Sequence, residues 1–257
     1  AIPFGDIWLR DTGPLFLRDG SGEVASIGFS FNGWGGKYLL EGDTHVAARI
    51  AGAAGLRSFS CEQVFEGGAV DVDGQGSCLA ARRCLLDPMR NPGSTAADWE
   101  RLLGESLGID KVIWLDQVMA GDHTDGHVDT VARFTAPGRV LCTEARSGDD
   151  PNGEVYDEVA ALLAASADAR GRRLEVAKVP SPGRFESDEG EALPASYLNF
   201  YVSNISVVVP VFGSAYDKEA VDLIARAFPD RRVCGVPARA LIRGGGAFHC
   251  ITQQEPA

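Results

Sequence analysis

The sequence has no apolar run approaching the roughly 18 residues that cross a bilayer, and no signal-peptide pattern opens it. A membrane partner is therefore not expected. It also has no excess of basic residues. The net charge is −12 at pH 7, which argues against nucleic acid as a partner, because phosphate binding demands a basic face. Paired cysteines are missing too. The six thiols (Cys61, Cys78, Cys84, Cys142, Cys234 and Cys250) form no C-x-x-C, and Cys78 and Cys142 sit inside apolar strand-like runs. That pattern argues against a disulfide frame or a zinc finger and reads as reduced, mostly buried cysteine of a cytoplasmic protein. Low-complexity tracts and long linkers are absent, so residues 1–257 are read as a single catalytic domain. The acidity could steer a cationic substrate, although acidic surfaces also serve solubility alone.

What is present is a recurring order of hairpin, helix and strand. The first copy places Leu15–Arg18 and Val24–Phe29 around Asp19-Gly20-Ser21-Gly22, then a helix over 44–54 and a strand over 57–60. The second pairs Ala69–Val72 with Ser77–Ala81, followed by a helix capped by Ser94 and a strand over 111–115. The third pairs Val128–Phe134 with Arg139–Thr143, with a helix over 153–165 and a strand over 174–179. The fourth pairs Tyr197–Ser203 with Ser206–Phe212, with a helix over 216–228 and a strand over 231–236. After Gly244-Gly245-Gly246, a strand-like Phe248–Thr252 opens a fifth. Such a period predicts α/β units stacked in an array or round an axis; one ordinary mixed sheet is the alternative.

Reactive side chains fall where these units open: Asp11 before the first hairpin, Glu66 before the second, His127 and Asp129 at the third, His249 and Cys250 at the fifth. A radial arrangement would bring them together. Two carboxylates facing one pocket repel unless a cation lies between them, and a planar guanidinium suits that demand through its N–H fork. A thiol beside positive charge becomes a nucleophile, and a histidine can protonate the leaving amine and then activate water.

Each residue alone has a plainer explanation. Asp11 could organise a turn, and Glu66 could be a solvated strand opening. His127 and Asp129, two apart, would share a strand face and a structural hydrogen bond. Cys250 could be a small buried residue, and Trp8 and Trp34 core aromatics. A metal site built from His123, His127, Asp129 and Cys250 is disfavoured, because Gly121, Thr124 and Gly126 oppose the helix that the His-x3-His spacing needs. Neither metal nor cofactor is expected.

Six blocks carry a family resemblance: Trp8-Leu9-Arg10-Asp11-Thr12-Gly13-Pro14, Phe31-Asn32-Gly33-Trp34-Gly35-Gly36-Lys37, Glu66-Gly67-Gly68, Asp125-Gly126-His127-Val128-Asp129, Tyr197-Leu198-Asn199-Phe200-Tyr201 and Gly244 to Pro256. In this order they resemble the signature blocks of the agmatine deiminases, within the bacterial-type peptidylarginine deiminase family of the guanidino-group-modifying superfamily. The resemblance implies a five-bladed α/β propeller (pentein) of ββαβ units. It also implies hydrolysis of agmatine to N-carbamoylputrescine and ammonia through an amidino-cysteine. By the same resemblance Cys250 is the nucleophile, His127 the general acid/base, Glu66 the carboxylate that orients it, Asp11 and Asp129 the pair that grips the guanidinium, and Trp8 a substrate-channel aromatic. It further implies a homo-oligomer. Family members usually begin with a further segment carrying a Trp-Pro motif, so part of one blade is expected to be missing before Ala1. A peptidylarginine or free-arginine deiminase, with Arg10, Lys37 or Arg243 meeting the carboxylate, is the nearest alternative. An inactive guanidine-binding module is the alternative from another class.

Overall fold

A computed structural model describes residues 1–256. It contains four three-stranded sheets, each an antiparallel hairpin extended by a parallel third strand after a helical crossover. The first holds β1 (Leu15–Arg18), β2 (Val24–Ser30) and β3 (Arg57–Val64), with the helix Val46–Ala54 between the last two. The second holds β4 (Val70–Val72), β5 (Ser77–Ala81) and β6 (Lys111–Leu115), with the helix Ala96–Leu107. The third holds β7 (Ala132–Ala136), β8 (Arg139–Glu144) and β9 (Glu175–Pro180), with Gly153–Ala165. The fourth holds β10 (Tyr201–Val202), β11 (Ser206–Val211) and β12 (Arg232–Pro237), with Asp217–Ala227. The chain is thus α/β and built from repeated ββαβ units.

The units are arranged round a common space. Residues of β1, β4, β7 and β10, the first strand of each unit, all line one cavity of about 690 Å³. Between units 2 and 3, Arg133 on β7 donates through Nε to Asp71 on β4 at 2.8 Å. Its Nη1 reaches the carbonyls of Leu198 and Phe200 in unit 4, and its guanidinium lies over the Phe200 ring. Middle strands are the most enclosed; all five residues of β5 are buried. The helices cover the sheets with apolar faces such as Trp99 and Leu103, or Ala220 and Ile224.

Several boundaries differ from the sequence expectation, each for a local reason. The second helix is capped by Thr95 rather than Ser94, with Thr95 and Asp98 bonding each other's backbone N–H in a capping box. Ala69 closes a 3₁₀ turn before β4. β10 is two residues long rather than seven, because the carbonyls of Leu198 and Phe200 are engaged by Arg133 instead of a neighbouring strand. His127 and Asp129 do not share a strand face: Val128–Thr130 is a 3₁₀ turn closed by Val131 N–H to the Val128 carbonyl at 3.0 Å. Phe248–Thr252 is likewise not a strand but a turn, with Thr252 N–H bonding the His249 carbonyl at 3.1 Å. Asp11 lies in a short helical turn, Leu9–Thr12. Among the described residues, no helix is long and apolar enough to cross a membrane.

Candidate active site

The openings of the units meet at one point, and a chain of hydrogen bonds documents it. Arg10 N–H donates to the Cys250 carbonyl at 3.0 Å, joining the Leu9–Thr12 turn to the last turn. Gly68 N–H donates to Asp11 Oδ1 at 3.0 Å. His127 Nε2 lies 2.8 Å from Glu66 Oε2, and His249 Nδ1 lies 2.6 Å from Asp129 Oδ2. Asn199, where the fourth unit opens, donates through Nδ2 to Cys250 Sγ at 3.2 Å. Asp11, Glu66, His127, Asp129 and Cys250, up to 239 positions apart in sequence, are therefore neighbours through these bonds.

Close packing here depends on glycine, as Gly68 and Gly246 illustrate. A Cβ on Gly68 would collide with His127 Nδ1 and come within 3.2 Å of Asp11 Oδ1. A Cβ on Gly246 would lie 2.8 Å from the Trp8 ring and 3.0 Å from Cys250 Sγ. The glycines let backbone approach these side chains where any side chain of its own would push them apart. Trp34 shows the opposite: a bulky residue at φ 55 and ψ 52, a left-handed conformation that L side chains adopt at a cost. Its indole Nε1 donates to Asp11 Oδ2 at 3.0 Å and its ring packs edge-on against Phe31. That bond and packing hold the conformation in place.

A cavity of about 310 Å³ opens onto this cluster, lined by Trp8, Asp11, Trp34, Tyr38, Arg243 and Cys250 among others. Adjacent residues face different spaces: Asp11 and Cys250 line the smaller cavity, Arg10 and His249 the larger. His127, Glu66 and Asp129 lie just behind the smaller cavity, with no more than 2% of their surface exposed.

The protonation states follow from burial and neighbours. Burial pushes the Cys250 thiol well above its usual range, and the Asp129 and Asp11 carboxylates push it further. Burial lifts Asp129 to about 6, against the pull of His127. Burial also raises Asp11, with His127 opposing. For His127, burial would disfavour the charged ring, yet Asp11, Cys84 and Glu66 together hold its pKa well above the ordinary imidazole value. His249 is held well below that value by burial and by Arg10 and Arg133, so it donates as a neutral ring from Nδ1 to Asp129. Burial works to raise Glu66, but His127 and Arg90 keep it below the ordinary carboxylate range. Asp129 Oδ1 is buried and has no hydrogen-bond partner among the described residues.

This is a resting site with a neutral thiol, an imidazolium and two carboxylates short of positive charge. A flat cation between Asp11 and Asp129 would supply that charge and stabilise a thiolate at the same time. The donor set suits a metal less well. Glu66, Cys84 and His127 bring ligand atoms within 4.8 Å of one another, but both Glu66 oxygens already bond the Arg90 guanidinium, at 2.6 and 3.2 Å. Exposed His123 does not join that group.

Two residues of the cluster, Asn199 and Arg90, were not singled out by sequence reasoning, and His249 was noted beside Cys250 without a role. Asn199 and His249 carried a signal, since both sit where a unit opens. Arg90 carried none, lying between a short helix, Arg82–Leu85, and the capped helix of unit 2.

Comparison with known proteins agrees with the geometry. The model of the Porphyromonas-type peptidyl-arginine deiminase family matches residues 1–256. A Streptomyces avermitilis protein, provisionally named an agmatine deiminase, is 42% identical over 98% of this chain and 75% of its own length. The agmatine deiminase of Enterococcus faecalis, solved while catalysing its reaction, superimposes with a TM-score of 0.90 at 35% identity, covering 97% of this chain and 74% of that one. A Porphyromonas gingivalis structure, provisionally named an arginine deiminase, reaches a TM-score of 0.93 at 32% identity, covering 100% and 77%.

Proposed function

The chain belongs to the Porphyromonas-type peptidyl-arginine deiminase family, and we propose that it hydrolyses the guanidinium of agmatine to N-carbamoylputrescine and ammonia as a single catalytic unit. The observation that carries the reading is the placement of Cys250 Sγ 3.7 Å from the Asp129 carboxylate, in the cavity that Asp11 also lines.

In this reading the guanidinium sits between Asp11 and Asp129, and the orphaned Asp129 Oδ1 accepts one of its N–H groups. The cation offsets the carboxylates that hold the thiol neutral, the S–H proton leaves to solvent, and the thiolate attacks the guanidinium carbon. A C–S bond forms; a C–N bond then breaks as His127 gives its proton to the departing ammonia. Neutral His127 next takes a proton from water and the hydroxide adds to the carbon; the C–S bond then breaks as the carbonyl forms, and the hydroxyl proton passes to the departing sulfur, restoring the thiol and the imidazolium. Glu66 holds His127 in the required orientation, and Trp8 walls the channel beside Cys250.

The tail pocket favours agmatine over an arginine carboxylate. Arg10 is turned to the larger cavity, donating to the His249 carbonyl and Gln254. Lys37 is held by Asp125 at 2.6 Å and by the His123 carbonyl at 2.8 Å. Arg243 lines the pocket but pairs with Asp188 at 2.6 Å, and Asp6 offers an acid for the amine tail. Ammonia release from agmatine, free arginine and a C-terminal arginine peptide, with Cys250→Ala as control, tests the assignment. We expect turnover of agmatine alone, abolished in the variant and indifferent to EDTA; release by the variant would reject Cys250 as nucleophile, and faster turnover of arginine would reject the substrate.

A further inference from the structure

Glu66 is wholly buried, and its two oxygens receive four donors. Arg90 Nε bonds Oε1 at 2.6 Å and Arg90 Nη2 bonds Oε2 at 3.2 Å. His127 Nε2 reaches Oε2 at 2.8 Å, and the Cys84 thiol reaches it at 3.3 Å. Burial and Glu66 push the Cys84 pKa up to about 12, so it contributes a neutral donor and no charge. Apart from His127, Arg90 is thus the cation in contact with Glu66.

The Arg90 side chain is itself 99% enclosed, and every one of its five N–H groups is engaged. Beyond Glu66, Nη1 bonds Asp87 Oδ2 at 2.6 Å and Asp125 Oδ2 at 2.7 Å, and Nη2 bonds the Thr124 carbonyl at 3.1 Å. Thr124 and Asp125 stand three and two residues before His127. Among the described residues, Asp125 is one of two non-glycine residues with positive φ, at 68°. Its carboxylate is also gripped by Lys37 from the loop carrying Trp34 and Tyr38, which line the candidate site. Arg90 therefore holds both ends of the arrangement: the acid that His127 bonds and the backbone bend from which His127 emerges.

We propose that Arg90 is a positioning residue for the reaction, whose fork keeps Glu66 ionised and aimed and through it fixes His127 as the proton donor. This rests on the acid/base role read for His127 above. Around the imidazole stand Asp11 from the Leu9–Thr12 turn at 3.9 Å, Glu66 from the second unit, Cys84 from the Arg82–Leu85 helix, and Asp129 from its own turn. Of these, Glu66 is the carboxylate that the ring bonds directly, and a buried carboxylate stays ionised only while cations face it. Without Arg90, the Glu66–His127 pair can collapse to carboxylic acid and neutral imidazole, leaving no proton for the departing ammonia. Lysine would restore the charge but not the two-pronged geometry.

The test uses the full chain and two variants, Arg90→Met and Arg90→Lys. It measures kcat and KM for agmatine across pH, together with the NMR titration of the His127 ring in substrate-free protein. For Arg90→Met we expect kcat to fall by about 10²-fold, the scale of a misplaced general acid, with KM little changed. The alkaline limb and the His127 titration should both move to lower pH by about one unit or more. Arg90→Lys should fall between, and it serves as the readout if the methionine variant does not fold. A folded Arg90→Met protein, or failing that Arg90→Lys, whose pH profile and His127 titration match the parent would overturn the proposal and leave Arg90 a purely structural ion pair. Absence of ammonia release by the parent protein would reject the substrate reading instead, and the ring titration would still decide the role of Arg90.

Discussion

A thiol walled in by acids is a poor nucleophile, and the proposed reaction turns on that property of Cys250. Glu66 is balanced by Arg90 and His127, whereas Asp129 meets a neutral imidazole and Asp11 has His127 Nδ1 only at 3.9 Å. In the proposed reaction the missing charge is the substrate's, which would make binding and activation of Cys250 one event. The pH dependence follows with a definite sign. Burial holds Asp129 near 6 in the folded protein, above its unfolded value. As pH falls through 6 the carboxylate takes up a proton and loses the cation, so kcat/KM should drop by roughly tenfold per pH unit on that limb. The same shift means that folded Asp129 binds more protons than unfolded between about pH 4 and 6, and its contribution to stability declines as pH rises across that window. Agmatine should therefore raise Tm more at about pH 7.5 than at about pH 5; an equal shift at both would show that Asp129 does not bind the cation. Gly68→Ala places a Cβ against the His127 ring, and we expect kcat/KM to fall on the order of 10²-fold in a protein that remains folded by circular dichroism. Of the groups involved, Asp11, Glu66, His127, Asp129 and Cys250 were legible because each opens a unit. Arg90 was not, since an ion pair 24 positions long leaves no period in the sequence.

The secondary structure was legible wherever hydrophobic period alone decides it. β1, β5 and β6 and the helix Gly153–Ala165 match the reading to the residue. It failed where side chains take over backbone bonds. Arg133 engages the Leu198 and Phe200 carbonyls, so an apolar run becomes a two-residue strand. The Asn199 side chain accepts the N–H groups of Ala247 and His249, so Phe248–Thr252 turns instead of extending. Such bonds join distant positions and leave the local pattern unchanged. Two stability predictions belong here. Thr95→Ala removes a capping box outside the cavity that Cys250 lines and should cost about 0.5–2 kcal/mol in urea unfolding, with turnover unaffected. Arg133→Met leaves the largely enclosed Asp71 with the Phe134 N–H but without its cation, and should cost about 3 kcal/mol by the same measurement. A loss below 1 kcal/mol would show that the units are held together by other contacts.

For the molecule as a whole, repetition turns sequence distance into proximity. Four units share one order of elements, their first strands face one cavity, and their openings deliver an acid, an acid, an imidazole and an amide to a common point. The last turn adds the thiol. An ordinary mixed sheet, the other architecture that the sequence allowed, would scatter these groups along its strand ends. A net charge of −12 attracts cations to the molecule as a whole, so the rate of agmatine capture should fall with added salt. What that convergence implies for chemistry can be seen by quenching the protein in acid within one turnover of agmatine and weighing its peptides. We expect a peptide containing Cys250 to gain the mass of agmatine less ammonia, and no such gain in Cys250→Ala. Turnover without any adduct on Cys250, or an adduct on another cysteine, would contradict the placement of the nucleophile.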